Sequence, residues 1–256
     1  MKKISLPPML SRIASAGYDP ALINQKTFCI FGVGGLGVLV AEMLVRAGAG
    51  KLILVDRDVV GPENLNRLGY DAKDIGKAKV DALAEKLQEL AKIRGQGFPL
   101  NVEKYFVDVI AWDKLNHLIK RCDIILTCFD NLEARLEVNY WAIKNRKVLI
   151  DGGTSENGLR GRVITVIPYK TPCLGCYFDD TTLYTLNEEE SGSCNASLPT
   201  TMAIIAAIQV EMALKLLHNK KVTPRINVNL ENGVNVVEIH DVKRRRNCRF
   251  CGGVHE

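Results

Sequence analysis

The sequence predicts an α/β fold: a mixed, largely parallel sheet with helices on both faces, in a single domain over residues 1–256. Two observations predict it. Near the N-terminus a short apolar run ends in a glycine loop, opens into a helix and returns to a second apolar run tipped by Asp56. Further along, apolar runs of strand length recur between helical stretches. Strand, glycine turn, helix and strand with an acid at its tip is the unit of Rossmann-like mononucleotide-binding sheets.

The elements follow in order. Thr27 to Phe31 is the first strand and Gly32-Val33-Gly34-Gly35-Leu36-Gly37 the loop. A helix runs from about Leu36 to Arg46 and ends in Ala47-Gly48-Ala49-Gly50. Lys51 to Val55 is the second strand, closed by Asp56. Lys77 to Leu90 has helical spacing. Val102 to Val107, Asp123 to Cys128, Val148 to Asp151 and Arg162 to Ile167 read as strands. Residues 172–199 form a long, poorly periodic excursion. Pro199 then opens an apolar helix to Leu217, with Ser197 or Leu198 near its cap. Strands at Ile226 to Leu230 and Val234 to His240 precede a cysteine-bearing tail, residues 240–256.

Composition narrows the function classes. The chain has 256 residues, 47% hydrophobic and 25% charged, which argues against disorder. Its net charge of +5 comes partly from Lys243-Arg244-Arg245-Arg246. That run is expected to be a solvated segment rather than an RNA contact, because other basic residues are scattered and lack interleaved aromatics. No apolar run follows Met1-Lys2-Lys3, so no secretory signal is expected. Gln209, Glu211 and Lys215 interrupt the stretch Met202 to Leu217, which reads as a buried or interface helix rather than a bilayer span. A cytoplasmic protein is expected.

Of eight cysteines, Cys29, Cys122 and Cys128 lie in apolar runs and are expected to be inert core thiols. In a reducing compartment the others point to metal or catalysis. Cys173-Leu174-Gly175-Cys176 and Cys248-Arg249-Phe250-Cys251 offer two thiolates each. Four thiolates form a closed tetrahedral zinc site that would fasten the tail to the body of the protein.

A glycine loop at a helix N-terminus cradles phosphate through backbone N–H groups and the helix dipole. Alone it suits NAD, FAD or ATP. The residues that follow favour a triphosphate: Asp58, then Asn64-Leu65-Asn66-Arg67, then Gly76-Lys77-Ala78-Lys79. Asp130 follows the strand Ile124 to Cys128, at the edge where ligands bind in open α/β sheets. It suits Mg²⁺ on the phosphates, or else caps the next helix. Cys194 sits among small polar residues just before a long helix, whose dipole favours a thiolate. The residues alone leave open whether it is a nucleophile or an exposed loop cysteine.

The glycine loop, Asp56, Asn64 to Arg67, Lys79 and Asp130-Asn131 resemble, in order, the adenylation domain of ubiquitin-activating enzymes and their ThiF/MoeB bacterial relatives. Cys194-Asn195-Ala196-Ser197-Leu198-Pro199-Thr200-Thr201, Asp130-Asn131-x-Glu133-Ala134-Arg135 and Ser155-Glu156-Asn157 are most similar to the compact ubiquitin-fold-modifier-activating enzymes. The resemblance implies that ATP is held by Gly32, Gly34, Gly35, Gly37, Asp56 (ribose), Asn64, Arg67, Lys79 and Asn131. It implies Mg²⁺ on Asp130 and structural Zn²⁺ on Cys173, Cys176, Cys248 and Cys251. Cys194, in a crossover loop at 172–199, would be the thioester nucleophile. Arg12, after Ser11, would reach the ATP of the other subunit of a homodimer. Leu68 departs from the glutamine many relatives carry there. The expected substrate is a small β-grasp protein ending in Gly-Gly, adenylated, joined to Cys194 and passed to a conjugating enzyme. The alternatives are a ThiF/MoeB-type sulfur-carrier adenylyltransferase without a thioester step, a tRNA-base adenylating enzyme, an NAD-dependent dehydrogenase and an inactive scaffold.

Overall fold

The computed structural model describes residues 6–66, 68–94, 97–110, 112–178 and 197–252. Eight strands form one sheet: β1 (Thr27–Phe31), β2 (Lys51–Asp56), β3 (Asn101–Phe106), β4 (Ile124–Thr127), β5 (Val148–Thr154), β6 (Arg160–Val166), β7 (Arg225–Asn229) and β8 (Asn235–Ile239). Their spatial order is β3-β2-β1-β4-β5-β6-β7-β8. The first five run parallel, and β5 through β8 continue antiparallel. The expected mixed, largely parallel sheet is therefore present.

Helices cover both faces, which is why β1, β2 and β4 are near-continuous apolar runs. Alternate residues of each strand serve opposite layers. Phe28, Ile30, Leu52, Leu54, Leu126 and Ile150 pack under α3 (Gly35–Ala47), α4 (Lys79–Ala91) and α8 (Pro199–Leu217). Phe31, Ile53, Val55, Ile125, Leu149 and Ile164 pack under α5 (Leu115–Arg121), α6 (Leu132–Lys144) and α7 (Leu174–Tyr177). Gly48 ends α3 with φ 109°, a left-handed cap that favours glycine.

The apolar α8 is long and apolar enough by composition to cross a membrane, yet half of it is buried against α3, β5 and β6. Gln209, which interrupts its apolar pattern, is fully buried. Its amide donates to the carbonyls of Thr127 (3.2 Å) and Ile150 (3.1 Å), so the helix is bonded to the end of β4 and to the interior of β5. Leu198 is its N-cap and Pro199 its first residue.

Three expectations change. Cys29 and Cys122 are not free thiols but a disulfide, with Cα atoms 5.7 Å apart. Both sit fully buried where β1 meets the end of α5, so apolar surroundings concealed a pair rather than two isolated thiols. Cys128 is a buried free thiol, pushed up to about 12 by burial, and inert as expected. The helix expected from Lys77 starts at Lys79, because Ala78 bridges to Val59 instead. Finally, the basic run is only partly solvated. Arg244 donates to the carbonyls of Tyr169 (2.6 Å) and Cys251 (2.7 Å), and Arg245 to that of Gly175.

Two short helices, α1 (Pro8–Ser15) and α2 (Pro20–Gln25), precede the sheet and escaped sequence reasoning. Their junction is fastened to α8. Tyr18 Oη donates to Glu211 (2.6 Å), and the Asp19 N–H to His218 Nε2 (2.7 Å).

Candidate nucleotide site and metal centre

The site is built at the C-terminal edge of β1, β2 and β4, where the sheet order reverses about β1. Gly32 has φ 83°, and a Cβ there would lie 2.9 Å from the Cys128 carbonyl, so only glycine allows the turn. A Cβ on Gly37 would lie 1.9 Å from Gly32 O, so the helix packs directly on the loop. Nothing lies within 4 Å of a Cβ built on Gly34, the N-cap of α3. The loop therefore presents an open backbone surface and the free N–H groups of the first helical turn.

Asp56, at the tip of β2, is 7% exposed. Its carboxylate accepts from the Val33 N–H (2.7 Å) and the Asp58 N–H (2.8 Å), so it positions the glycine loop as well as facing the crevice. Burial raises its pKa, and Lys79 pulls the other way. Lys79, the first residue of α4, is buried and reaches back 2.8 Å to Asp58. Tyr70 closes the loop from behind, its hydroxyl donating to Val33 O at 2.6 Å. Asn64 is buried, and its Oδ1 accepts from the Gly61 N–H (2.9 Å), shaping the turn between β2 and α4. Asn66 donates to Ser197 O (3.2 Å), tying that turn to the foot of α8.

Asp130 is exposed just past β4. The helix cap is Asn131, whose Oδ1 accepts from the Ala134 N–H at 2.8 Å. Asp130 is thus not used as the cap, its Oδ1 accepting one long bond from the Asn131 amide (3.5 Å), while the oxygen of Asn131 is already engaged. Arg12 is exposed on α1, and among the described residues no hydrogen bond or ion pair joins it to the loop. Arg67 and Cys194 lie outside the described residues.

Sequence reasoning missed the support beneath this edge. Arg135, on α6, is buried and bonds Asp151, the Gly152 carbonyl (2.8 Å) and the Phe129 carbonyl. Thr127 donates to the same Asp151 oxygen at 2.8 Å. This network holds the segment leading into Asp130. The signal was present in the sequence: an arginine one helical turn past Asn131 and an acid ending an apolar strand.

The two Cys-x-x-Cys pairs meet. Sγ atoms of Cys173 and Cys248 are 3.6 Å apart, those of Cys176 and Cys251 3.4 Å, and those of Cys173 and Cys176 4.0 Å. Four sulfurs at zinc–thiolate distance on a tetrahedron are separated by about 3.8 Å, so the donor set fits that ion. The Arg245 N–H donates to Cys176 Sγ at 3.5 Å, an outer contact of the kind that supports thiolate ligands.

Fold and site together define a Rossmann-like α/β protein with an open glycine loop at one sheet edge and a four-cysteine cluster. The ThiF family model matches residues 9–250, and the chain belongs to that family. Among curated proteins it is 38% identical over 214 residues to the ubiquitin-like modifier-activating enzyme 5 of Caenorhabditis briggsae, covering 78% of this chain and 48% of that protein. With the Gallus gallus protein of the same name it shares 33% over 215 residues, covering 78% and 53%. The chain thus spans about half the length of these relatives. Among solved structures, E. coli MccB with ATP superposes with a TM-score of 0.73 at 19% identity, covering 91% of this chain and 68% of that one. MccB in complex with N-formylated MccA gives 0.77 at 20%, covering 95% and 75%. These structural likenesses confirm the fold.

Proposed function

We propose that the chain activates a small ubiquitin-like modifier with ATP, first by adenylating its C-terminus and then by taking it as a thioester on Cys194. The observation that carries this is the convergence of the open glycine loop, Asp56, the Lys79–Asp58 pair and an uncapped Asp130 on one sheet edge. Family membership and the name shared by the curated relatives support the same reading.

In the first step the modifier's terminal carboxylate attacks the α-phosphorus of ATP, and pyrophosphate leaves with the bonding electrons. Asp56 holds the ribose, while Lys79, Arg67 and the loop N–H groups hold the phosphates in line. Asp130 would hold Mg²⁺, which neutralises phosphate charge when bound. In the second step the Cys194 thiolate attacks the acyl carbon and AMP leaves. The proposal includes zinc in the cysteine knuckle, a homodimer in which Arg12 serves the partner's site, a conjugating enzyme as acceptor, and a cytoplasmic setting.

The test is ATP–pyrophosphate exchange with candidate β-grasp proteins, followed by non-reducing gels. Cys194→Ala should keep exchange and lose the reducible adduct. Asp130→Ala should lose both, and exchange preserved in that variant would contradict its metal role. A wild-type enzyme that exchanges but never forms the adduct would leave the adenylation step and remove the thioester step.

A further inference from the structure

Next to the nucleotide edge the sheet carries more positive charge than it balances. Register aligns Gly153 of β5, Arg162 of β6 and Asn227 of β7 in one row. The row beside it holds Asp151, Ile164 and Arg225. Cross-strand partners project to the same face, so Arg162 and Arg225 share the face that α6 covers lower down. Above Gly153 there is no side chain, and Arg135 fills the space, its Nη2 3.1 Å from where a Cβ would be. Arg162 lies beside it, its guanidinium 4.8 Å from the Phe178 ring centre. Arg225 stands over Tyr177 at 5.4 Å.

Arg162 and Arg225 therefore add two guanidinium groups beside the Arg135–Asp151 pair. Asp151 gives one oxygen to Arg135 and Thr127. Among the described residues no carboxylate forms an ion pair with Arg162 or Arg225, and the buried Nε of Arg162 has no hydrogen-bond partner. Burial lowers the Arg162 pKa to about 10; Asp151 opposes the shift, and Arg135 and Arg225 add to it. A partly buried guanidinium without an ion-pair partner is costly, and an incoming carboxylate reduces the cost.

The location identifies the source of that carboxylate. From β4, whose tip leads to Asp130, to β6 is two inter-strand steps, about 10 Å. An extended chain advances about 3.3 Å per residue. A peptide whose terminal carboxylate lies at the Asp130 edge and whose body crosses this face sets its third or fourth residue from the end beside Arg162.

We propose that Arg162, flanked by Arg225, is a specificity residue that reads an acidic side chain three or four residues from the C-terminus of the modifier. This rests on the adenylation reading above. The probes are fluorescent octapeptides ending in Gly-Gly, with Glu or Gln at the third or the fourth position from the end. Anisotropy is measured with the site saturated by an ATP analogue carrying a methylene between the α and β phosphorus atoms. One of the two Glu peptides should bind about tenfold more tightly than its Gln counterpart, the scale of one charge-assisted contact. Arg162→Gln should abolish that ratio and Arg162→Lys keep part of it, with affinity for the analogue unchanged in both. Equal affinities in the wild type would mean the guanidinium is neutralised from within the chain, and would overturn the proposal. So would an undiminished ratio in Arg162→Gln. Pyrophosphate exchange with whole β-grasp proteins ending in Gly-Gly separates the two readings: exchange at equal half-saturating concentrations of Glu and Gln forms removes only this one, whereas no exchange with any of them removes both.

Discussion

Replacing Cys29 and Cys122 with alanine, singly and together, measures what the buried bridge contributes. The two residues are 93 apart in sequence. In the chain-entropy account, closing a loop of that length lowers unfolded-state entropy by about 16 cal/mol/K, or about 4.6 kcal/mol at room temperature. For a chain of this size each kcal/mol moves Tm by roughly 2–4 °C, so each variant should melt about 10–18 °C lower. Each single substitution already breaks the bridge, so the double variant should be little worse than either. The coupling in the cycle should therefore nearly equal the bridge itself. The assays are thermal melting and guanidinium unfolding without reductant, accompanied by intact mass after alkylation in denaturant and chelator. Six of the eight cysteines should be alkylated in the wild type. Eight alkylations, or small additive losses in the cycle, would refute the reasoning.

Other outcomes follow from the same geometry. The purified protein should carry one zinc by elemental analysis, and Cys251→Ser should lose it and expose the tail after residue 240 to protease. Arg135→Leu leaves the Asp151 carboxylate buried without its partner and should cost about 3–5 kcal/mol in unfolding, whereas exposed Arg46→Leu should cost less than about 1. Lys79→Ala should weaken ATP binding in calorimetry and leave Tm within a few degrees, since its partner Asp58 is half exposed. The backbone N–H of Ile110 and Arg57 hold the Asp108 carboxyl below its ordinary range. Its contribution to stability is thus complete above about pH 4 and lost as pH falls through the lower folded value, so Asp108→Asn should flatten the acid limb of the stability curve. An unchanged limb would remove that pairing.

Much of this architecture could be read in advance because its determinants are local. The glycine loop, Asp56 and the strand runs state their own geometry, since phosphate cradles and buried parallel strands need those residues at those spacings. The zinc knuckle was legible for a different reason: two paired-thiol motifs have few other uses in one chain. What stayed hidden depends on long-range pairing. Nothing near Cys29 announces Cys122, and a pair of apolar cysteines reads the same whether bonded or free. Arg244 and Arg245 looked like surface charge because each reaches a carbonyl 70 or more residues away, those of Tyr169 and Gly175. Arg135 and Asp151 are ordinary at their own positions and become a support only when β5 comes to lie beside β4. The short α1 and α2 have too few turns for a periodic signal.

The two margins of the sheet differ. At β3, Glu103 pairs with Arg121 and Lys104 with Asp81, so a strand approaching there meets charge. At β8, Val236 and Val237 are exposed and the outer row of backbone amides faces away from β7. Among the described residues the ladder is guarded on one side and open on the other. That open rung is five inter-strand steps, about 24 Å, from β1 and its glycine loop. A ninth strand contributed by another chain would find its place there, and the sheet could lengthen without disturbing the nucleotide crevice.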